Sequence, residues 1–428
     1  MEQFIEKNGT VAGRLFAEIR HLHPNFKFCG EPSNAILSTP DGLLDYVLSL
    51  LRKDPIPPPQ VSVGQWRALL HILKSHWIIP LLYWHAGRLP DELRPPAPIM
   101  DQMRAVFQWS RVRSFHMEKQ LREITAAFQT EGVRLLILKG PAFGRTAYPD
   151  PALRPGSDLD LLVHPEDFIQ SRNIMERIGY TCASRLFEVF RDYSCEENFS
   201  SHTHPREMLP ICFHWALHLF PEENSGNNVQ ELLRNATEVE AGDLRFLVAN
   251  PVDALIHAAA HMIIHHSQDI RLIWIYDIAL LAQALKAPAD WKILQERSVN
   301  WGARISVEYA LNLAQILTGL QLPAEICDFS SWPEPTADET ATISNTLNRH
   351  SRPDIKLRLR LAACATSRQK ARFLFKFIVP KPDLMRVYYP DGTPLLFCYF
   401  RLWGRWAGEI MRFIVNCTHS GEIKAPRS

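Results

Sequence analysis

Leu135-Leu136-Ile137-Leu138-Lys139-Gly140 and, one loop later, Ser157-Asp158-Leu159-Asp160-Leu161-Leu162-Val163 are the strings that decide the fold. Each contains a short apolar run of strand length, Val133–Leu138 and Leu159–Val163, bounded by glycine or proline. Along a strand every second side chain faces the same way, so Asp158 and Asp160 project together. Two adjacent carboxylates disfavour each other's charge and invite a cation. Mg²⁺ takes one or two protein carboxylates plus phosphate oxygens, so the pair suits a nucleoside triphosphate carried with Mg²⁺ or Mn²⁺. A bare Asp-x-Asp is also what a solvated strand end looks like; the strand–connection–strand setting singles this one out.

The chain continues from this pair in a legible way. His164-Pro165 opens a helix that Gly179 closes, and Thr181–Asn198 and Met208–His214 have strand character. Upstream, Ile99–Thr130 carries apolar residues at helical spacing and runs directly into Gly132. Further back, Asp41–Arg52 and Gln65–His85 read as helices, the second interrupted at Pro80. After Pro251 the pattern is almost wholly helical: Val252–His266, Ile270–Leu285, Trp291–Ser298, Arg304–Leu317 and Asn345–Ala363. The expected fold class is α+β. A small mixed sheet domain over 131–248 is flanked by an N-terminal helical region, 1–130, and a C-terminal helical domain, 249–428.

The strings Leu136-Ile137-Leu138-Lys139-Gly140-Pro141-Ala142, Tyr148-Pro149, Arg154 and Ser157-Asp158-Leu159-Asp160-Leu161-Leu162-Val163 resemble the polymerase-β-like nucleotidyltransferases. Within that superfamily they look like an uncharacterised bacterial nucleotidyltransferase family with an "LKG…YP…R…DIDLLV" pattern. Trp66–Tyr83, Phe213-His214-Trp215, Leu255-Ile256-His257 with His261, and Arg271–Asp277 are similar to its other landmarks. The resemblance spans roughly residues 60 to 415. It implies transfer of a nucleotidyl group from an NTP, with Asp158 and Asp160 as catalytic metal ligands. Lys139, Gly140, Arg154 and Ser157 would bind the nucleotide. The acceptor is unknown; a peptide or small molecule fits, since similar proteins occur in bacterial lasso-peptide and polysaccharide clusters.

Two positions depart from that pattern. Pro141 stands where a small serine often follows the glycine, which removes a backbone donor from a phosphate-binding turn. The third carboxylate expected two residues before His214-Trp215 is Cys212, and a thiol is a poor ligand for a hard cation. Glu207 could substitute only through a bulge, being at an odd offset from Cys212, and Glu196 or Glu197 only with another strand order. Two alternatives therefore stand beside an active transferase: a catalytically degenerate scaffold that binds nucleotide or peptide, and an RNA-modifying toxin of the same superfamily.

Other residues have plainer readings. Lys139 and Arg154 could each hold phosphate, or instead cap a strand end and brace the loop. His257, His261 and His265 share a helix face at zinc-compatible spacing, but without H-E-x-x-H they read as hydrogen-bonded histidines. His214 and His261 are candidates to line the cleft, and Cys212 with His214 could in principle hold a soft metal. Asp277 and Arg271 read as a structural ion pair or an interdomain contact rather than catalytic groups. The 47 Lys and Arg balance 46 Asp and Glu, which is not the basic footprint of a nucleic-acid tracker. The basic run Lys356–Arg372 reads as a solvated helix face and Pro394–Val415 as an amphipathic helix too interrupted by charge to span a membrane. Eight irregularly spaced cysteines without C-x-x-C, and no export signal, lead us to expect reduced thiols and a cytoplasmic location.

Overall fold

The protein is seen in a computed structural model that describes residues 42–182, 195–202, 208–217, 225–241, 244–267, 269–337, 339–340 and 342–343, with scattered positions from 371 to 404. Residues 1–184 and 195–355 form one compact unit; 185–194 and 356–428 form a second. Asn345–Ala363, nearly all of Lys356–Arg372, and Pro394–Val415 beyond 404 lie outside the described residues.

The described elements run α1 (Leu43–Arg52), α2 (Val63–Ser75), α3 (Ile79–Ala86), α4 (Ala97–Thr130), β1 (Leu136–Leu138), α5 (Lys139–Thr146), β2 (Leu159–Leu162), α6 (Phe168–Arg177) and β3 (Tyr180–Cys182). They continue with β4 (Glu196–Ser201), β5 (Ile211–His214), α7 (Ser225–Arg234), β6 (Thr237–Ala241), β7 (Leu244–Val248), α8 (Pro251–Ala260), α9 (Leu272–Ala284), α10 (Pro288–Asn300), α11 (Arg304–Thr318) and α12 (Ala324–Cys327). Helices flank a seven-stranded mixed sheet of order β3-β4-β5-β2-β1-β7-β6, so the fold is α+β as expected. The two strands recognised first in the sequence sit at its centre. β1 pairs antiparallel with β2 and parallel with β7, while β2 pairs parallel with β5.

Helix α4 backs this centre. Its inward stripe, Met117, Leu121, Ile124 and Phe128, is buried, and Phe128 meets Phe213 of β5 at 5.9 Å. Gln120 is fully buried and satisfied on both sides of its amide: it donates to the Leu209 carbonyl (2.8 Å) and accepts from the Leu209 amide (2.9 Å). A buried amide costs free energy unless so paired, and the pairing fixes where β5 begins.

Two helix boundaries differ from expectation for local reasons. Pro80 does not interrupt a helix; it lies in the first turn of α3, where a missing N–H costs nothing. The break falls earlier, at Trp77, whose φ of 59° is left-handed. Val252–His266 is not one regular helix either: α8 ends at Ala260 and a π-helical turn follows, His261–His265. The extra residue rotates the face, so His265 is exposed and His261 lies nearer His266 (4.5 Å between rings) than His265 (6.0 Å).

Candidate active site

Asp160 lies in β2 opposite Leu138 of β1 and Cys212 of β5, the registers that build the site. Its Oδ1 accepts from Lys139 Nζ at 3.1 Å and lies 3.0 Å from His214 Nε2. His214 Nδ1 faces Glu196 Oε2 at 3.3 Å. Burial alone would raise the Asp160 pKa; the Lys139 ammonium and the His214 contact outweigh it and hold the carboxyl well below the usual carboxylate range. Both contacts fall on Oδ1, and among the described residues Oδ2 is left to accept a further cation.

Asp158, half-buried, precedes β2 on the same side, as period-2 alternation requires. Ser157 Oγ lies 3.0 Å from its Oδ1 and Cys212 Sγ 3.9 Å from its Oδ2. One potential ligand atom each from Asp158, Asp160 and Cys212 lie within 4.8 Å of one another. The thiol is pushed well above its ordinary range, first by burial and then by Asp160, Asp158 and Glu196, so it is a neutral S–H group. It donates to Asn198 Oδ1 of β4 at 3.2 Å. Two carboxylates at this spacing suit one Mg²⁺ whose other ligands are water and phosphate; the protonated thiol does not supply a third hard ligand.

The loop that delivers Asp158 is clamped from below. Arg154 is buried and gives Asp277 of α9 a two-pronged contact, Nε to Oδ2 at 2.9 Å and Nη2 to Oδ2 at 2.7 Å, with Nη1 donating to the Pro155 carbonyl. Tyr148 donates to Asp277 Oδ1 at 2.7 Å. Burial pushes the Asp277 carboxyl up, against the opposing pull of Arg154. From α4, Ser110 donates to the Ala152 carbonyl, and Arg113 to those of Gly156 and Ser157 (2.6 and 2.9 Å). A Cβ on Gly140 would stand 3.2 Å from Arg154 Nη1, so glycine there lets the guanidinium pass beneath the turn. Lys139 itself has φ 47°, a costly conformation for a side chain of its size.

Residues 62–319 match the model of a family described as uncharacterised nucleotidyltransferase, well over half of the chain. The chain belongs to that family. No curated protein matches it.

The structure thus brings together Asp158, Asp160, Lys139, Ser157, Cys212 and His214 at the nucleotidyltransferase's central strands. It separates Arg154, whose guanidinium is committed to Asp277 and a carbonyl beneath the loop. Of the two readings of Asp277 and Arg271, the mutual ion pair is corrected: Asp277 pairs with Arg154, and Arg271 faces Asp269 at 3.7 Å. Six residues apart on α9 and its cap, the two point in different directions. Glu197 is no substitute carboxylate, because it pairs with Arg172 on the opposite face of the sheet (3.0 Å). Glu196 shares the site face but lies behind His214, and Glu207 is outside the described residues. His257 is buried in electrostatic reach of Lys139, Asp160 and His214, and burial together with Lys139 lowers its pKa to about 3. Two features were not anticipated: Asn198, which accepts from the Cys212 thiol and is visible only once β4 is paired with β5, and the Cys195–Glu196–His214 cluster, which could hold an ion. The zinc-spaced histidines do not form such a group among the described residues, and Cys212 does not join His214 in one. Five cysteines, Cys182, Cys195, Cys212, Cys327 and Cys398, are free thiols. No described helix is long and apolar enough to cross a membrane.

Proposed function

We propose that this nucleotidyltransferase transfers a nucleotidyl group from a metal-bound NTP to a hydroxyl acceptor. The observation that carries this reading is the convergence of Asp158, Asp160 and Lys139 on one face of the central strands. Asp158 and the free Oδ2 of Asp160 would hold a single Mg²⁺ or Mn²⁺, which when bound neutralises phosphate charge. Lys139 would turn from Asp160 to the triphosphate, while the Gly140 backbone and Ser157 line the phosphate path. The acceptor oxygen attacks the α-phosphorus; one P–O bond forms, the α–β anhydride bond breaks, pyrophosphate leaves and the acceptor proton passes to solvent. Arg154 acts as a positioning residue: through Asp277 and Tyr148 it fixes the loop that presents Asp158. The acceptor is a peptide or small molecule.

Cys212 favours a second reading, a nucleotide-binding scaffold without turnover, since a neutral thiol neither completes a second metal position nor takes the acceptor proton. Calorimetry with ATP, GTP, CTP and UTP and Mg²⁺ or Mn²⁺ tests the common ground. Metal-dependent binding that Asp158→Asn/Asp160→Asn abolishes is the expected result. No binding of any nucleotide with either metal overturns the proposal. Pyrophosphate release in the presence of candidate acceptors then separates enzyme from scaffold.

A further inference from the structure

Beside the carboxylates runs a ladder of rings and cations that nucleotidyl transfer as described leaves unused. Trp77 meets Trp109 of α4 at 6.4 Å. The Arg271 guanidinium lies over the Trp77 ring at 5.9 Å and over Trp274 at 4.9 Å. Trp274 in turn meets His266 at 4.9 Å and His261 at 5.5 Å. The contacts are built rather than incidental. Trp77 is held left-handed, which a bulky residue resists. The neighbouring His76 is fully buried and its Nδ1 accepts from the Leu272 amide, docking that turn onto the start of α9 from which Arg271 and Trp274 project. The π-helical turn, a device frequent at functional sites, sets His261 and His266 against Trp274.

Arg271 is under-satisfied. Among the described residues its one ion pair, to Asp269, is long at 3.7 Å, and its buried Nε has no hydrogen-bond partner. A buried donor left unpaired calls for an explanation. The ladder also adjoins the reacting centre: His266, half-buried and lowered in pKa by desolvation, feels Lys139, Arg271, Asp269 and Asp160.

We propose that this ladder is the base-recognition subsite, where an oxo-bearing nucleobase, guanine foremost, stacks on Trp274 and accepts hydrogen bonds from Arg271. The inference rests on the NTP reading above. Its chemistry is that of arginine, a donor-only fork that matches guanine O6 and N7 and finds a donor, not an acceptor, on adenine N6. Base–aromatic stacking supplies affinity of a kind that tolerates several bases, so discrimination falls to Arg271. A tryptophan–arginine sandwich keeps the fork planar and ready.

The test is calorimetry of the full chain with Mg²⁺ and GTP, ATP or inorganic tripolyphosphate, on the parent and on Trp274→Leu, Trp274→Phe and Arg271→Gln. Expected are GTP binding about tenfold or more tighter than ATP, and loss of nucleotide binding, GTP and ATP alike, in Trp274→Leu with tripolyphosphate unchanged. Trp274→Phe should keep most of that binding, which separates stacking from misfolding. Arg271→Gln should shift the preference toward ATP, since glutamine pairs with adenine. Equal loss of tripolyphosphate binding in Arg271→Gln would make Arg271 a phosphate ligand and overturn this assignment. So would unchanged nucleotide affinity in Trp274→Leu, or an unchanged GTP-to-ATP ratio in Arg271→Gln, while the NTP reading stood. Failure of the parent to bind any of the three ligands overturns both.

Discussion

Replacing Cys212 by Asp would place a third carboxylate where the protein has a neutral thiol, and the structure fixes what that should do. The Cys212 sulfur lies 3.9 Å from Asp158 Oδ2. Two unit charges at about 4 Å repel by roughly 4 kcal/mol at an effective dielectric of about 20. Asp158 is half-exposed, so solvent screening brings the repulsion nearer ~1–2 kcal/mol. Asp160 adds less, because Lys139 and His214 already balance it. In EDTA, Cys212→Asp should therefore melt about 1–3 °C below the parent for a chain of this size. Cys212→Asn, similar in size and uncharged, should lose much less. With millimolar Mg²⁺ the order reverses, since three carboxylates bind a divalent cation about tenfold or more tightly than two do. Melting curves with and without Mg²⁺ on the three proteins make the measurement. If Cys212→Asp melts with the parent in EDTA, or gains no more from Mg²⁺ than the parent does, then Cys212 does not occupy the third-ligand position.

Three further outcomes are expected. Lys139→Gly and Lys139→Ala both lose the ammonium, but only glycine accepts φ 47° without strain, so by denaturant titration the glycine variant should be more stable by about 1 kcal/mol; equal stabilities would mean the turn is unstrained. Arg154→Met strands the buried Asp277 carboxylate and should cost about 3–5 kcal/mol, and Arg154→Lys should recover only part of it because the two-pronged contact is lost; a full rescue by lysine would show that charge alone matters there. Glu339, buried beside the first turn of α11 and accepting from the Ile305 amide, has its pKa raised to about 7 by burial. Its unfolded form ionises first, so it favours the fold at low pH and that contribution fades as pH rises from about 4.5 through 7. Glu339→Gln should thus match the parent near pH 4.5 and exceed it by up to about 3 kcal/mol above pH 7.5, and a stability gap that narrows with rising pH would contradict the assignment.

How much of this could be read in advance follows from where each signal resides. Asp158 and Asp160 were legible because strand alternation is a local rule. Cys212 was legible through its offset from His214-Trp215, and the register with Asp160 puts it there. Arg154 could not be assigned from sequence, because its partner Asp277 lies on a helix far along the chain and no local spacing encodes such a pair. Asn198 escaped notice for the same reason: its place depends on β4 lying antiparallel beside β5. The π-helical turn erased a regular i, i+4, i+8 spacing by one inserted residue, and helical periodicity carries no mark of such an insertion. Pro80 misled because proline breaks a helix interior but suits its first turn.

The order of strands has a consequence for the nascent chain. β1 gains its second neighbour only from β7, made roughly a hundred residues later. At ribosomal speeds that leaves Leu136-Ile137-Leu138 with one bare edge for about 5–20 s, and an apolar open edge invites pairing with other chains. Only its three-residue length limits that hazard. A product ending at 241 keeps both aspartates yet should appear mainly in the pellet after expression, whereas one ending at 319 should stay in the supernatant.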